Sequence, residues 1–427
     1  MQTDEVRAYR KEFYRNVEQR QALDPRQHDF YVPLDSAAVR GTDIQGELLE
    51  LIEFSTSGCA IALGGPRGSG KTSELLRLGE RLTAAGNPFL YASVEDSLKP
   101  SQPLDGGLYL IAVAAGLIDA IDVGGGGWDG PGLGRRLVAL LKRVRLDVTD
   151  FGIEAAPGPI KLSAKFRPYL TEDASFKRQV ADLMQSGRRG FREELHQFIG
   201  EAAEQVQGSG DKLPVFVFDS TDHWRGDQSN YMEVRDSVDR VFQDMGEELT
   251  LPGLHVVYGV PTYVKASWAA PAALLNVKVV EADRETVFGP GIEQLRRILA
   301  KRAPDGDAAT LLGANVDRVA QTSGGLFRDL FRLTGQAILA ARSGGLPISD
   351  DKLAEAERKV RYNLSAGFYR EQWDILNEVA TDRQFSPGTE QAPAFDYLES
   401  IGAILRYPNG SEPWVGIHPL LWPRLKS

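Results

Sequence analysis

Cys59-Ala60-Ile61-Ala62-Leu63, then Gly64, then Gly65-Pro66-Arg67-Gly68-Ser69-Gly70-Lys71-Thr72, is the stretch that decides the fold. The last eight residues fit G-x-x-x-x-G-K-[ST] at every fixed position. Glycines let the backbone curl so that several N–H groups point at phosphate oxygens. The helix opening at Lys71 brings the positive end of its dipole to the same place. Lys71 is expected to reach the β and γ phosphates and the Thr72 hydroxyl to ligate Mg²⁺, with Ser73 next on the helix. A glycine-rich turn can match such a pattern by chance. The chemistry requires an apolar strand before it and an amphipathic helix after it, and Cys59–Leu63 and Thr72–Ala85 supply both.

Outward from the loop, Phe89 to Val94 reads as a second buried strand, so residues 58–96 run strand–loop–helix–strand, the opening of a parallel α/β sheet. Val215–Phe218, Leu254–Val260 and Val277–Glu281 read as the third, fourth and fifth strands. Residues 100–145 read as two helices around Gly124–Gly127. Residues 174–206 read as a long polar helical region broken at Gly187. Partial alternation over 147–166, around Pro157-Gly158-Pro159, reads as an inserted β-hairpin. The expected organisation is an N-terminal helical segment (1–30), an α/β domain (31–288), a helical lid (289–363) and a winged-helix-like domain (364–427). In the last, helices near Phe368–Val379 and Ala394–Ile401 precede a two-stranded wing over Ala403–Ile417.

The third strand ends in Asp219, the position from which a carboxylate holds the water shell of Mg²⁺. The alternative is an N-cap, since Asp219-Ser220-Thr221 suits a helix start. Asp222 is the nearest further acid and the candidate to polarise an attacking water; the alternative is a solvated or capping residue.

Bulk composition narrows the class. Hydrophobic residues are 42% and charged residues 25%, enough for a sizeable core. One cysteine, Cys59, excludes an internal disulfide and fits a reducing cytoplasm. The charged first twenty residues lack an apolar h-region, and the apolar run Leu108–Ile118 is short for a membrane span, so no membrane is expected. The net charge of −10 disfavours a protein living mainly on nucleic acid.

This motif set resembles the AAA+/STAND group of P-loop ATPases, in the Orc/Cdc6-like or NACHT-like arrangement, over residues 30–425. The resemblance implies ATP with Mg²⁺; no guanine-reading N-K-x-D is present. It places Arg40-Gly41 near the adenine. It makes Asp219 the Walker B aspartate, with Val215–Asp222 closer to the STAND h-h-h-h-D-x-x-D form than to Asp-Glu, because Ser220 stands where many AAA+ enzymes have glutamate. Gly324–Asp329 resembles the start of a sensor 2 helix, whose arginine, here Arg328, reaches the γ-phosphate; a structural arginine is the alternative. His418 is read as a packing or capping histidine, against the ADP-contacting histidine of closed STAND proteins. Departures are the absence of a clear polar sensor 1, with Thr262 the nearest residue, and of an arginine finger before the fifth strand, for which Arg225 and Arg284 are substitutes.

Over residues 366–427, five basic residues face eight acidic ones, and the expected reader helix carries Asp396 and Glu399 and no base. Phosphate would be repelled there, so a protein effector or self-assembly is the expected partner, with Arg188, Arg189 and Arg192 the place to look for an acidic one. The implied activity is slow ATP hydrolysis by a switch or assembly ATPase, in a setting such as bacterial conflict or anti-phage defence. The alternatives are a DNA-loading or transposition-type ATPase and a nucleotide-binding scaffold.

Overall fold

The structure, a computed structural model, describes residues 3–18, 28–34, 37–124, 130–148, 161–227, 229–283, 285–342, 344–382, 384–410 and 412–425. In chain order the helices are α1 (Thr3–Glu18), α2 (Ala37–Arg40), α3 (Ile44–Glu53), α4 (Lys71–Ala84), α5 (Gly106–Val123), α6 (Gly130–Arg143), α7 (Leu162–Thr171), α8 (Ala174–Ser186), α9 (Arg188–Gln207), α10 (Tyr231–Asp244), α11 (Gly246–Leu249), α12 (Gly289–Arg302), α13 (Ala309–Leu312), α14 (Val316–Thr322), α15 (Phe327–Ala340), α16 (Asp350–Ser365), α17 (Arg370–Thr381) and α18 (Ala392–Ile401). The strands are β1 (Ala60–Gly64), β2 (Phe89–Ser93), β3 (Val215–Asp219), β4 (His255–Gly259), β5 (Ala270–Ala273), β6 (Ile404–Tyr407) and β7 (Trp414–Ile417).

The chain forms two compact units. One comprises residues 45–64 and 75–273. Its sheet is parallel with strand order β2-β3-β4-β1-β5. Val215-Phe216-Val217-Phe218 is buried throughout, as a strand covered on both faces must be. The expected α/β class and the first four strands are present. The fifth strand is a correction: it is Ala270–Ala273 beside β1, not Val277–Glu281. Ala-Pro-Ala-Ala carries little β signal, and Pro271, which cannot donate to a ladder, is tolerated because β5 lies at the sheet edge.

Helix α5 is the core of this unit. By length and composition it is the one helix among the described residues apolar enough to cross a membrane, and most of it is buried inside the unit. Its Tyr109 hydroxyl lies 3.1 Å from Thr221 Oγ1, behind the end of β3. Most of the expected hairpin over 147–166 lies outside the described residues. Its last part is corrected to helix: Leu162, Phe166 and Leu170 are buried along one stripe of α7. The first turn of α7 is capped from outside, Asp119 of α5 accepting from the Leu162 and Ser163 amides at 2.5 and 2.9 Å.

The other unit comprises residues 1–44, 65–74 and 274–427. Tyr9, Phe13 and Val17 of α1 share one apolar cluster with buried residues of α12–α18 and of the β6–β7 hairpin. Val277, Val279 and Val280 belong here, with a single antiparallel bridge, Val280 to Val287, in place of the expected strand. The segment leading to them is strapped down by Asn276 N–H to the Arg406 carbonyl (3.2 Å) and Lys278 N–H to the Val39 carbonyl (2.9 Å). Helices α17 and α18 precede the antiparallel β6–β7 hairpin in the order expected of the C-terminal segment.

Replacing Asp119 with alanine strips the α7 cap and leaves two amide donors unsatisfied. A loss of about 1–2 kcal/mol is expected, read as a lower urea midpoint with unchanged slope.

Candidate functional site

The phosphate loop belongs to the second unit. Gly65, Gly68 and Gly70 have φ of 145°, 89° and 94°, outside what L side chains adopt comfortably. Two of them also give their side-chain space to the start of α15. A Cβ on Gly68 would lie 2.6 Å from Arg328 Cβ, and one on Gly70 would lie 2.9 Å from the Phe327 ring. The loop and this helix start touch through missing side chains.

Lys71, buried at the first position of α4, donates to the loop's own Gly65 and Pro66 carbonyls at 2.6 and 3.1 Å. Thr72 and Ser73 follow in the same turn, half-buried. Ser69 is fully buried, and its hydroxyl has no hydrogen-bond partner among the described residues. Positive-φ glycines, an ammonium curled onto the loop and a helix N-terminus behind it suit a polyphosphate.

Arg40 lies against the loop. Its guanidinium donates to the Ser69 carbonyl, stands 3.8 Å from Glu74 of α4 and lies over the Phe327 ring at 5.1 Å from its centroid. Burial lowers the affinity of this guanidinium for its proton, and Glu74 opposes that shift. Tyr31 donates to Glu74 as well. Arg40 is thus a brace for the loop, and Glu74, Tyr31 and Phe327 are partners that sequence reasoning missed. The pattern x-x-x-G-K-T-S-E held the only signal for Glu74.

Arg328 bridges two places. Its amide donates to the Gly68 carbonyl at 3.3 Å, and its guanidinium donates to the Ile401 carbonyl at the end of α18 (2.9 Å) and to Asp329 (3.1 Å). Asp329 is buried with Arg332 at 3.0 Å and His418 Nε2 at 3.4 Å. Burial alone would raise this carboxyl, but Arg328 and His418 outweigh it and hold it far below the usual carboxylate range. His418 caps the final 3₁₀ turn, its Nδ1 accepting from the Leu420 amide, so its ring proton sits on Nε2, facing Asp329. The capping reading of His418 fits this geometry.

In the first unit, Asp219 stands at the C-terminal tip of β3 and Gly64 at the same edge of the sheet, where the chain continues into the phosphate loop. Asp219 is buried and accepts from the Tyr91 hydroxyl at 3.1 Å. Burial, reinforced by Asp219, pushes the Tyr91 phenol far up, so it remains a donor. Gly259 makes room for the carboxylate: a Cβ there would lie 2.4 Å from Asp219 Oδ1. Ser220 adopts φ 75°, the left-handed region, and opens the 3₁₀ turn Thr221–His223. Asp222 has a side chain 5% exposed and lies 4.0 Å from His223 Nε2. His223 Nδ1 meets Glu95 Oε1 at 2.8 Å.

No family model and no curated protein matches the chain. Among the solved structures similar to it, two are matched over nearly the whole chain. The ORC2 protein of Aeropyrum pernix, in ADPNP-ADP complexes, is 12% identical with a TM-score of 0.36, over 95% of this chain and 93% of that one. The RuvB A156S mutant of Thermotoga maritima is 12% identical with a TM-score of 0.35, over 91% and 96%. Likenesses of that size assign no role to any residue, and the site is read from its own geometry.

Arg225 donates its amide to the Pro100 carbonyl, and Arg284 lies outside the described residues. Arg188, Arg189 and Arg192 are paired within their unit, with Glu248, Glu193 and Glu247. Glu399 of α18 is buried and gripped by Arg406 at 2.5 and 3.2 Å.

Asp329→Asn removes a buried charge from three basic partners, which typically costs about 3–5 kcal/mol. Because the folded carboxyl is depressed, the parent's advantage is complete above the ordinary carboxylate value of about 4 and is lost as pH falls below it. Melting temperatures from pH 7 to pH 3 should therefore converge toward acid; a gap that stays constant contradicts the pairing.

Proposed function

We propose that this chain is an ATP-Mg²⁺-binding switch or assembly ATPase of AAA+/STAND type, whose output is contact with a protein partner. The observation that carries the reading is Arg328. Its stem packs on Gly68 of the phosphate loop while its head holds the end of α18 and Asp329. A triphosphate in the loop offers this guanidinium a stronger, charge-assisted partner than a carbonyl oxygen. The segment from α18 through β7 then loses one of its ties. Binding that differs between tied and released states is what shifts such an equilibrium.

In this reading the N–H groups of Gly65, Arg67, Gly68, Ser69 and Gly70 cradle phosphate, and Pro66, which has none to donate, shapes the curl. Lys71 exchanges the Gly65 and Pro66 carbonyls for β and γ oxygens. The Thr72 hydroxyl is the ligand the loop would offer Mg²⁺, and Asp219 is the carboxylate that β3 would offer for the same role. The metal supplies charge neutralisation at the β and γ oxygens. Arg40 keeps the loop in shape through Ser69 and Glu74. A role in conflict or anti-phage defence is a setting such a switch fits; it rests on resemblance alone.

A second reading, an ATPase working on nucleic acid, has one observation in its favour. The acids of α18 are buried, with Glu399 paired to Arg406, so they do not present negative charge to a phosphate backbone. Arg358 and Tyr362 of α16 and Arg424 of the final turn are meanwhile exposed.

Lys71→Ala should weaken ATP binding at least about tenfold, the loss of one charge-assisted contact, and abolish turnover. Steady-state hydrolysis with and without duplex DNA checks both readings. Lys71-dependent turnover indifferent to DNA is the expected result, and strong stimulation by DNA would favour the second reading.

A further inference from the structure

Helix α15 begins against the phosphate loop, where Phe327 and Arg328 fill the space left by Gly70 and Gly68. It runs for 14 residues, roughly 20 Å at the rise of an α-helix. Its far end opens onto a groove in the same unit. The groove lies between the last turn of α15, the connection from Gly344 to Ser349 and the first half of α16, and has a volume of 720 Å³. That is room for several side chains of a bound molecule.

The wall is fastened from behind. Arg10 of α1 is 8% exposed and donates Nη2 to the Gly344 and Gly345 carbonyls at 2.7 and 2.9 Å. The Ile348 amide donates to the Leu311 carbonyl of α13 at 2.7 Å. The groove is therefore shaped by its neighbours and is not a gap left by a loose connection.

The lining combines apolar surface with cations. Ile348 and Ala356 are buried parts of it. Leu339 is left 37% exposed there, although Leu330 and Leu333 of the same helix are buried. Arg342, Lys352 and Lys359 also line the groove, against one acid, Glu355. Lys352 holds Glu355 at 3.0 Å. Lys352 first, then Arg358 and Lys359, keep its carboxyl below the ordinary carboxylate range. Arg342 and Lys359 have no carboxylate partner among the described residues. Lys352 and Lys359 stand two turns apart, about 10 Å along α16. For a compact anion to meet both, their stems must bend toward each other. An elongated segment with carboxylates on successive turns needs no such bending. On a chain of net charge −10, an acidic segment is repelled by most of the surface and matched here.

We propose that this groove docks an acidic, amphipathic segment of a partner protein, with its apolar side chains on Leu339 and its carboxylates toward Arg342, Lys352 and Lys359. The proposal rests on the reading of a switch whose output is contact with a protein partner. It places that contact at the end of α15 remote from the phosphate loop.

The test titrates the full chain into a fluorescein-labelled peptide, four helical turns long, with leucines along one stripe and glutamates elsewhere, and follows anisotropy. Comparison probes are the same peptide with lysine for glutamate, a poly-glutamate peptide of equal length and a labelled DNA duplex. The leucine–glutamate peptide should bind saturably and more tightly than the other three. Lys352→Glu combined with Lys359→Glu should weaken it about tenfold or more, through two lost attractions and two new repulsions. Leu339→Glu should do the same with every lysine in place. All three positions are exposed, so melting temperatures should match the parent. Absence of saturable peptide binding, or binding that both variants leave unchanged, would overturn the proposal. So would poly-glutamate bound as tightly as the leucine–glutamate peptide, which would reduce the groove to a patch of charge. Duplex DNA bound more tightly, and released by the double reversal, would assign the surface to nucleic acid instead. A fluorescent ATP analogue is titrated into the same preparations. If the parent shows no Lys71-dependent analogue binding, the switch reading fails, and peptide binding in the groove is scored separately.

Discussion

The approach of the phosphate loop to the first residues of α15 is the constraint on which the second unit depends. Gly68 and Gly70 leave no side chain where Arg328 Cβ and the Phe327 ring come within what would be 3 Å of one. Phe327 in turn carries the guanidinium of Arg40 on its face, and Arg40 ties Ser69 to Glu74. Loop, brace and helix start form one packed object. Arg328 joins this object to Asp329 and the end of α18, and Asp329 joins it to His418, so in the proposed switch a change in what the loop holds passes along these contacts.

The first unit solves a separate problem, how to keep a carboxylate buried and available at a sheet edge. Asp219 is kept in place by the Tyr91 hydroxyl from β2 and by the absence of a side chain at Gly259 of β4. The strained Ser220 then turns the chain so that His223 faces β2, where it meets Glu95. Both neighbouring strands thus contribute to one edge, which a parallel sheet allows because all its strands end on the same side.

Much of this was legible in the sequence where a pattern is local. The phosphate loop declares itself because each of its residues has a fixed job within eight positions. β3 is read from consecutive apolar residues ending in an acid. Gly187 marks the break between α8 and α9. Legibility fails where periodicities coincide or partners are distant. Leu162, Ala164 and Phe166 look alternating, yet Leu162, Phe166 and Leu170 are a helical stripe. Val277–Glu281 is more β-like than Ala270–Ala273, but its valines pack in the other unit's core. Arg328 is visible after its glycines; its bond to Ile401, 73 residues on, is not. The pairing of Glu95 with His223 gave no signal, since it depends on which strand lies beside β3.

The central claim is that nucleotide in the loop competes for Arg328 with the end of α18. Hydrogen exchange at the Gly402 and Ala403 amides, which close the last turn of α18 on Glu399 and Leu398, reads this directly. Saturating ATP-Mg²⁺ should speed exchange there in the parent and leave it unchanged in Lys71→Ala. Exchange at these amides that is unaffected, or slowed, in a parent chain with ATP bound would contradict the account.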